Sequence, residues 1–191
     1  MSRRPLGRLR IIAGEWRSRL IDFDAGDGVR PTPDRVRQTV FDWLTPVIDG
    51  ATCVDLFAGS GALGFEALSR GAASVSFVET GRRQTDAIKQ AAAKLGAVAR
   101  CDVVASDALA WLSNSRTQFD VAFVDPPYDA GLWKPVLLAL QPALKQENRV
   151  YVEWPKSVTP VWPEGWQVLR EKTAGQVSYA LATYRPQAPS V

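Results

Sequence analysis

The segment Val54-Asp55-Leu56-Phe57-Ala58-Gly59-Ser60-Gly61-Ala62-Leu63-Gly64 decides the fold. It continues an apolar run at 51–57, contains the pattern G-x-G-x-x-G, and leads into a helical segment at 62–70. Glycines let the chain turn tightly and let a ligand approach the backbone, and the free N–H groups at a helix start attract anionic or carbonyl groups. The stretch therefore predicts a strand, a ligand-binding turn and a helix.

The same alternation of strand and helix continues along the chain. Further apolar runs at 74–79, 101–105, 119–124 and 149–153 alternate with helical segments at 82–95, 107–113 and 131–144. Such a series predicts an α/β fold whose parallel sheet is covered on both faces. Two final strand-like runs, Trp166 to Thr173 and Gln176 to Tyr184, flank Ala174-Gly175 and predict an antiparallel hairpin at one edge. We therefore expect a Rossmann-like sheet of seven strands, mostly parallel.

The residues before this sheet form a smaller unit. Arg8 to Ile12 and Arg19 to Phe23 predict a basic β-hairpin. The prolines of Arg30-Pro31-Thr32-Pro33 exclude regular structure, and Asp34 can cap a helix running to Leu44. Val36, Val40, Phe41 and Leu44 would share one face of that helix. We expect a basic arm at 1–29, one domain at 30–185 and a flexible tail at 186–191.

Charge is distributed unevenly along the 191 residues. Residues 1–37 hold nine arginines and five acids, whereas the rest of the chain is nearly neutral. A basic arm before a neutral body suits contact with phosphates, although a solubilising tail would look the same. No stretch is apolar enough to span a membrane, and the arginines near the N-terminus precede no apolar signal region. We therefore expect a cytoplasmic protein.

Acidic residues follow three of the predicted strands. Glu79 is placed to accept both hydroxyls of a ribose. Asp55 would repel a pyrophosphate but could bind the ammonium of an amino acid, which favours S-adenosylmethionine over a dinucleotide. Asp107 follows the third strand, where an adenine amino group could be read. Asp55 could instead be a helix-capping or loop acid, and Asp107 the N-cap of a helix. The presence of acids on consecutive strand ends nevertheless favours a cofactor site.

The fourth strand ends in the tip Asp125-Pro126-Pro127-Tyr128. Prolines fix φ and lack N–H groups, so this tip offers acceptors without competing donors. Such a set suits a planar amino group, whose lone pair becomes available when both hydrogens are held. Tyr128 would supply a face on which a base could stack. The tip therefore predicts transfer of a methyl group to the exocyclic amine of a nucleobase.

No metal or thiol chemistry is expected. The chain contains no histidine, and Cys53 and Cys101 have neither C-x-x-C spacing nor a position at the tip. A zinc site and a cysteine-adduct route to carbon methylation are therefore both disfavoured, and the two cysteines are expected to be reduced core residues.

Several motifs together resemble a known family. The tip resembles that of amino-directed class I S-adenosylmethionine-dependent methyltransferases. The segments RIIAGEWRSR, RPTPDRVRQTVFDWL, VDLFAGSGALGFEALSRGA and VDPPY resemble the bacterial 16S ribosomal RNA guanine-N2 methyltransferases, small-subunit methyltransferase D, from about Arg10 to Tyr184. The resemblance implies methylation of one guanine N2 amine in small-subunit RNA, within an assembly particle rather than naked RNA, by a monomeric enzyme.

The resemblance also implies roles for particular residues. Asp125, Pro126, Pro127 and Tyr128 would be catalytic. The cofactor would be bound by Asp55, Phe57, Ala58, Gly59, Gly61, Glu79, Asp107, Ala108, Arg30 and Thr32. RNA phosphates would be bound by Arg8, Arg10, Arg17, Arg19 and Arg35. Gly81 departs from the pattern, because similar proteins more often have Asp or Asn there.

Other functions share some of these features. Amino methyltransferases also act on DNA adenine or cytosine, usually with an extra recognition domain, or on protein glutamine, usually with Asn in place of Asp125. A nicotinamide oxidoreductase would use the glycine loop, and a catalytically silent RNA-binding module would use the arm. Neither of these last two explains the tip at 125–128.

Overall fold

The computed structural model describes residues 6–26, 31–128 and 131–186. Within these described residues, nine strands and five α-helices follow one another: β1 (Leu6–Arg10), β2 (Leu20–Asp24), α1 (Asp34–Leu44), β3 (Thr52–Asp55), α2 (Ala62–Ser69), β4 (Ser74–Glu79), α3 (Arg82–Leu95), β5 (Cys101–Ala105), α4 (Ala108–Asn114), β6 (Phe119–Val124), α5 (Trp133–Leu140), β7 (Leu144–Pro155), β8 (Trp166–Ala174) and β9 (Val177–Tyr184). The predicted alternation of strands and helices is confirmed.

Seven strands form one sheet in the order β5-β4-β3-β6-β7-β9-β8. The strands from β5 to β7 are parallel, and β9 pairs antiparallel with both β7 and β8. The order reverses at β3, which lies between β4 and β6, so the carboxyl ends of β3 and β6 meet at the switch point where such sheets bind ligands. The predicted seven-stranded class I methyltransferase topology is confirmed.

Each face of the sheet has its own apolar core. One face packs against the N-terminal hairpin and α1 to α3, with Phe41 against Phe123 at 5.7 Å between ring centroids. The other face packs against α4 and α5, with a group of tryptophans around Trp162. The apolar strands are covered on both sides, as their composition predicts.

Helix α1 has the predicted length and apolar face but a different start. Val36, Val40, Phe41 and Leu44 are buried, as predicted. The prediction that Asp34 caps the helix is wrong, because Pro33 is the cap residue and no side chain caps the helix. Asp34 lies inside the first turn, and its carboxylate pairs with Arg37.

The predicted N-terminal hairpin is present, with β1 antiparallel to β2. A buried ionic cluster around Glu66 fixes the part of the chain that follows β1. The Glu66 carboxylate is fully buried and accepts hydrogen bonds from the N–H groups of Ile12 (2.9 Å) and Ala13 (3.1 Å). It also pairs with Arg70 (2.8 Å) and with the buried Arg37 (3.4 Å). Glu66 therefore connects the segment after β1 to α1 and α2.

None of the described helices is long and apolar enough to cross a membrane. Within residues 6–26, 31–128 and 131–186, no group of three or more His, Cys, Asp or Glu side chains could hold a metal ion.

We expect Glu66→Gln to lower the free energy of unfolding by about 3 kcal/mol, because it removes the buried counter-charge of Arg37 and leaves only the exposed Asp34 as its ionic partner. Urea denaturation measures this change. Glu171→Gln, on the exposed part of β8, is the control and should change stability by less than about 0.5 kcal/mol. A decrease below about 1 kcal/mol in Glu66→Gln would show that the cluster is not a main source of stability.

Candidate active site

The parallel strands bring acidic residues to one edge of the sheet. Asp55 and Glu79 end β3 and β4, and Asp125 directly follows β6. Asp107 stands two residues after β5. Because β5, β4, β3 and β6 are successive neighbours, these four acids line one edge in that order. The predicted grouping on consecutive strand ends is therefore present.

The glycine loop between β3 and α2 depends on backbone shapes that suit glycine. Gly59 and Gly61 have φ of 50° and 77°, in the left-handed region that side chains disfavour. Gly64 allows α2 to approach the sheet, because a Cβ there would lie 2.2 Å from the Phe77 ring. The loop can thus turn sharply and expose its backbone, as its sequence predicts.

Glu79 supports this loop from the end of β4. One carboxylate oxygen accepts a hydrogen bond from Gly59 N–H and the other from Gly81 N–H, both at 2.8 Å. The oxygen bound by Gly59 retains a further lone pair for a ligand hydroxyl, whereas the other oxygen also accepts from the Thr80 hydroxyl at 3.3 Å. Gly81, where similar proteins more often have Asp or Asn, thus helps to hold the Glu79 carboxylate through its backbone N–H. The Gln84 side chain occupies the space into which a side chain at position 81 would project.

Asp55 is buried beneath the loop. Its carboxylate accepts a hydrogen bond from Gly64 N–H at 3.2 Å, so it also helps to shape the turn. Burial, with a smaller contribution from the charge of Glu79, raises the pKa of Asp55 to about 7, against the lowering effect of the Gly64 and Phe57 N–H groups. A cationic group bound nearby would favour the ionised carboxylate.

The other predicted cofactor residues lie on several different elements. Asp107 caps α4, accepting a hydrogen bond from Ala110 N–H at 2.9 Å, so the capping role that its sequence allowed is present. Ala58 and Ala108 are buried, Phe57 is partly buried, and the buried Thr32 is held through its carbonyl by Arg37 at 3.2 Å. Arg30 lies outside the described residues.

The tip at 125–128 faces a residue that the sequence did not reveal. The Tyr128 hydroxyl donates a hydrogen bond to Glu153 at 2.6 Å, and the Tyr151 hydroxyl donates to the other oxygen of Glu153 at 2.7 Å. Burial raises the pKa of Asp125 well above its usual range, and the negative charges of Glu153 and Asp55 add to this. Only the position of Glu153 near the end of an apolar strand could have indicated it.

Comparison with known proteins identifies the family. The family described as Conserved hypothetical protein 95 matches residues 9–183. The chain is 42% identical to ribosomal RNA small subunit methyltransferase D of Escherichia coli over 96% of its length and 94% of that protein. It is also 42% identical to the protein of that name from Haemophilus influenzae, over 92% of its length and 93% of that protein. The chain belongs to the methyltransferase D family.

The solved structures agree with this membership. A methyltransferase structure from Escherichia coli superposes with a TM-score of 0.86 at 43% identity, covering 95% of this chain and all of that one. The protein is therefore a methyltransferase of the class I fold, which uses S-adenosylmethionine.

The residues at this edge fit the cofactor. The buried carboxylate of Asp55 suits the ammonium of an amino acid, because it would attract a cation and repel a phosphate. The carboxylate of Glu79, at the end of β4, suits ribose hydroxyls as an acceptor. In this methyltransferase D family member, Asp55 and the glycine loop would hold the methionine part and Glu79 the ribose. The assignment of individual contacts to these residues stays a prediction.

The thiols of the methyltransferase lie apart from the tip. Both cysteines are free, and Cys53 is buried in β3. Burial raises the pKa of Cys101 to about 11 and that of Cys53 further, so neither is a thiolate at neutral pH.

The predicted RNA-binding arginines lie on the surface of the protein. Arg8, Arg10, Arg17, Arg19 and Arg35 are all exposed. Arg8 pairs with Asp22 at 3.1 Å, and Arg19 donates to the Lys94 carbonyl near the end of α3. The turn that contains Arg17 contacts the amino end of the strands through Glu15. The Glu15 N–H donates to the Ser69 carbonyl, and the Glu15 carboxylate pairs with Arg100. An RNA touching Arg17 and the tip would therefore have to extend along α3, about 20 Å for its 14 residues.

Binding of S-adenosylhomocysteine should tighten about tenfold between pH 6 and 8. Asp55 is mostly neutral below its pKa of about 7 and ionised above it, and only the carboxylate attracts the ligand ammonium. Calorimetry on wild type and Asp55→Asn measures this, since the variant should bind more weakly and with a flatter pH profile. Asp102→Asn, on the exposed side of β5, is the control. Parallel profiles for wild type and Asp55→Asn would remove Asp55 from ammonium binding.

Proposed function

We propose that this protein methylates the exocyclic N2 amine of one guanine in the 16S RNA of the small ribosomal subunit. The observation that carries the proposal is the rigid tip Asp125-Pro126-Pro127-Tyr128, which stands beside the glycine loop at the switch point of the sheet. The relatives named small subunit methyltransferase D support ribosomal RNA as the substrate class. We propose further that the enzyme acts as a monomer on an assembly particle.

The tip provides acceptors for an amino group. No described residue donates a hydrogen bond to the Asp125 carboxylate, and its high pKa reflects burial next to other acids. An incoming amine with two N–H donors would find this carboxylate and the Pro126 carbonyl without competing donors, because proline has no N–H. Hydrogen bonds from both amine hydrogens to the tip favour a pyramidal nitrogen, so its lone pair is less delocalised into the ring and is available for reaction.

The remaining work of the protein is alignment. S-adenosylmethionine supplies a methyl group on a positively charged sulfur, which needs no activation by a metal. Asp125 fixes the amine, and half-exposed Tyr128 offers its ring for stacking on the base. After transfer the nitrogen is more acidic, and Asp125 or water can take its proton. A guanine in a folded RNA must be unstacked to reach this tip.

We expect Asp125→Ala to reduce turnover at least about 100-fold and to leave cofactor affinity within about twofold, because the carboxylate holds the amine and not the cofactor. The measurement is single-turnover methyl transfer to small subunits from a strain lacking the enzyme, with mass spectrometry of the RNA to locate the product.

Asp102→Ala removes an exposed carboxylate of β5 and is the matched control. Wild-type turnover in Asp125→Ala would exclude the tip from the mechanism. A product other than N2-methylguanine would overturn the choice of substrate atom.

Replacing Arg8, Arg10, Arg17 and Arg19 with alanine should weaken RNA binding and reduce the slope of log affinity against log salt. The expected reduction is about 0.7–0.9 for each RNA phosphate that the variant no longer neutralises. Binding titrations over a range of salt concentrations measure the slope. Arg116→Ala, an exposed arginine before β6, is the control. An unchanged slope would mean that these arginines serve solubility alone.

A further inference from the structure

Glu153 lies beside Asp125 on the neighbouring strand. The register of β6 and β7 pairs Phe123 with Tyr151 and Val124 with Val152, so continuing it pairs Asp125 with Glu153. Phe123 and Tyr151 pack on one face of the sheet, with ring centroids 6.4 Å apart. Side chains two residues further on return to the same face, and neighbouring strands are about 4.8 Å apart. The two carboxylates therefore stand side by side.

Glu153 is a buried acid without a cationic partner. Only 8% of the residue is exposed, and no lysine or arginine in the described part of the chain forms an ion pair with it. Its two hydrogen bonds come from the Tyr128 and Tyr151 hydroxyls, one to each oxygen. Each oxygen keeps a lone pair for another donor. Burying such a group is costly unless more donors arrive.

The carboxylate also borders a cleft next to the tip. This cleft, with a volume of about 270 Å³, is lined by Pro126, Pro127, Tyr128 and Glu153. The acceptors of the tip thus continue sideways to Glu153, and Lys134, which lines the same cleft, forms no ion pair with Glu153 in the described part of the chain. A base held at the tip would present to Glu153 one of the two ring atoms that flank its amino group.

That ring atom differs between the bases that carry exocyclic amines. Guanine has the N1–H donor on one side of its N2 amine and the acceptor N3 on the other, whereas adenine and cytosine have a ring nitrogen acceptor on one side of their amine and a ring carbon on the other. A buried carboxylate attracts the N1–H donor and repels a ring nitrogen acceptor, and a site built to bind a donor strongly rejects a base that lacks it.

We propose that Glu153 selects guanine by accepting its N1–H while the tip at 125–128 holds the N2 amine. This inference rests on the proposed function and adds a specificity residue to it. Tyr128 and Tyr151 orient the carboxylate through their hydroxyls. Selection then depends on a residue of β7, outside the motif that performs the transfer.

The test compares two bases at the same RNA position. Small subunits are reconstituted with ligated RNA that carries guanine or 2,6-diaminopurine at the methylated site. Diaminopurine keeps the 2-amino group but has an acceptor at N1. Wild type should methylate guanine at least about tenfold faster in kcat/KM, and Glu153→Gln should reduce this preference at least about tenfold, because an amide can donate to N1.

The outcomes separate the possible roles of Glu153. Glu147→Gln, an exposed glutamate of the same strand, is the control and should keep the wild-type preference. If Glu153 only positions Tyr128, Glu153→Gln will slow both substrates equally, and the unchanged ratio overturns the inference. Equal methylation of both bases by wild type overturns it without any variant. Failure of wild type to methylate guanine N2 overturns the proposed function instead.

Discussion

Parallel pairing of β4, β3, β6 and β7 is the constraint on which the site depends. Strands that run in the same direction end at the same edge, so residues far apart in the chain meet there. Glu79, Asp55, Asp125 and Glu153 come from four strands, and no local structure could gather them. The apolar clusters on both faces hold the strands in this order, which makes the position of the acids a consequence of the core.

Acidic side chains are concentrated at this edge of the sheet. Asp55 and Glu153 are buried, and the pKa of Asp125 is raised by both of them after burial itself. The glycine loop and two tyrosines donate hydrogen bonds to the acids, yet no cation of the described residues pairs with Glu153 or Asp125. Ligands that bring an ammonium and amide or amine N–H groups would complete the set. The unfavourable electrostatics among these acids would thus favour the binding of such ligands.

A second buried acid, Glu66, fixes the N-terminal segment to the rest of the fold. Glu66 accepts hydrogen bonds from the chain after β1 and pairs with Arg37, which in turn holds the carbonyl of Thr32. The N-terminal segment is therefore fixed to α2 through charges that water cannot screen. Because Thr32 is one of the predicted cofactor residues, this cluster would also connect the arrangement of the hairpin to the cofactor site.

Local patterns in the sequence by themselves determined the order and type of elements, the glycine turn, the tip at 125–128 and both hairpins. They could do so because strand and helix periodicity, glycine conformation and proline chemistry act within a few residues. The tertiary structure alone decided that Glu153 faces Tyr128, that Glu66 pairs with Arg37, and that Arg17 lies far from the tip. These features depend on register and packing between distant segments, on which neighbouring residues in the chain carry no information.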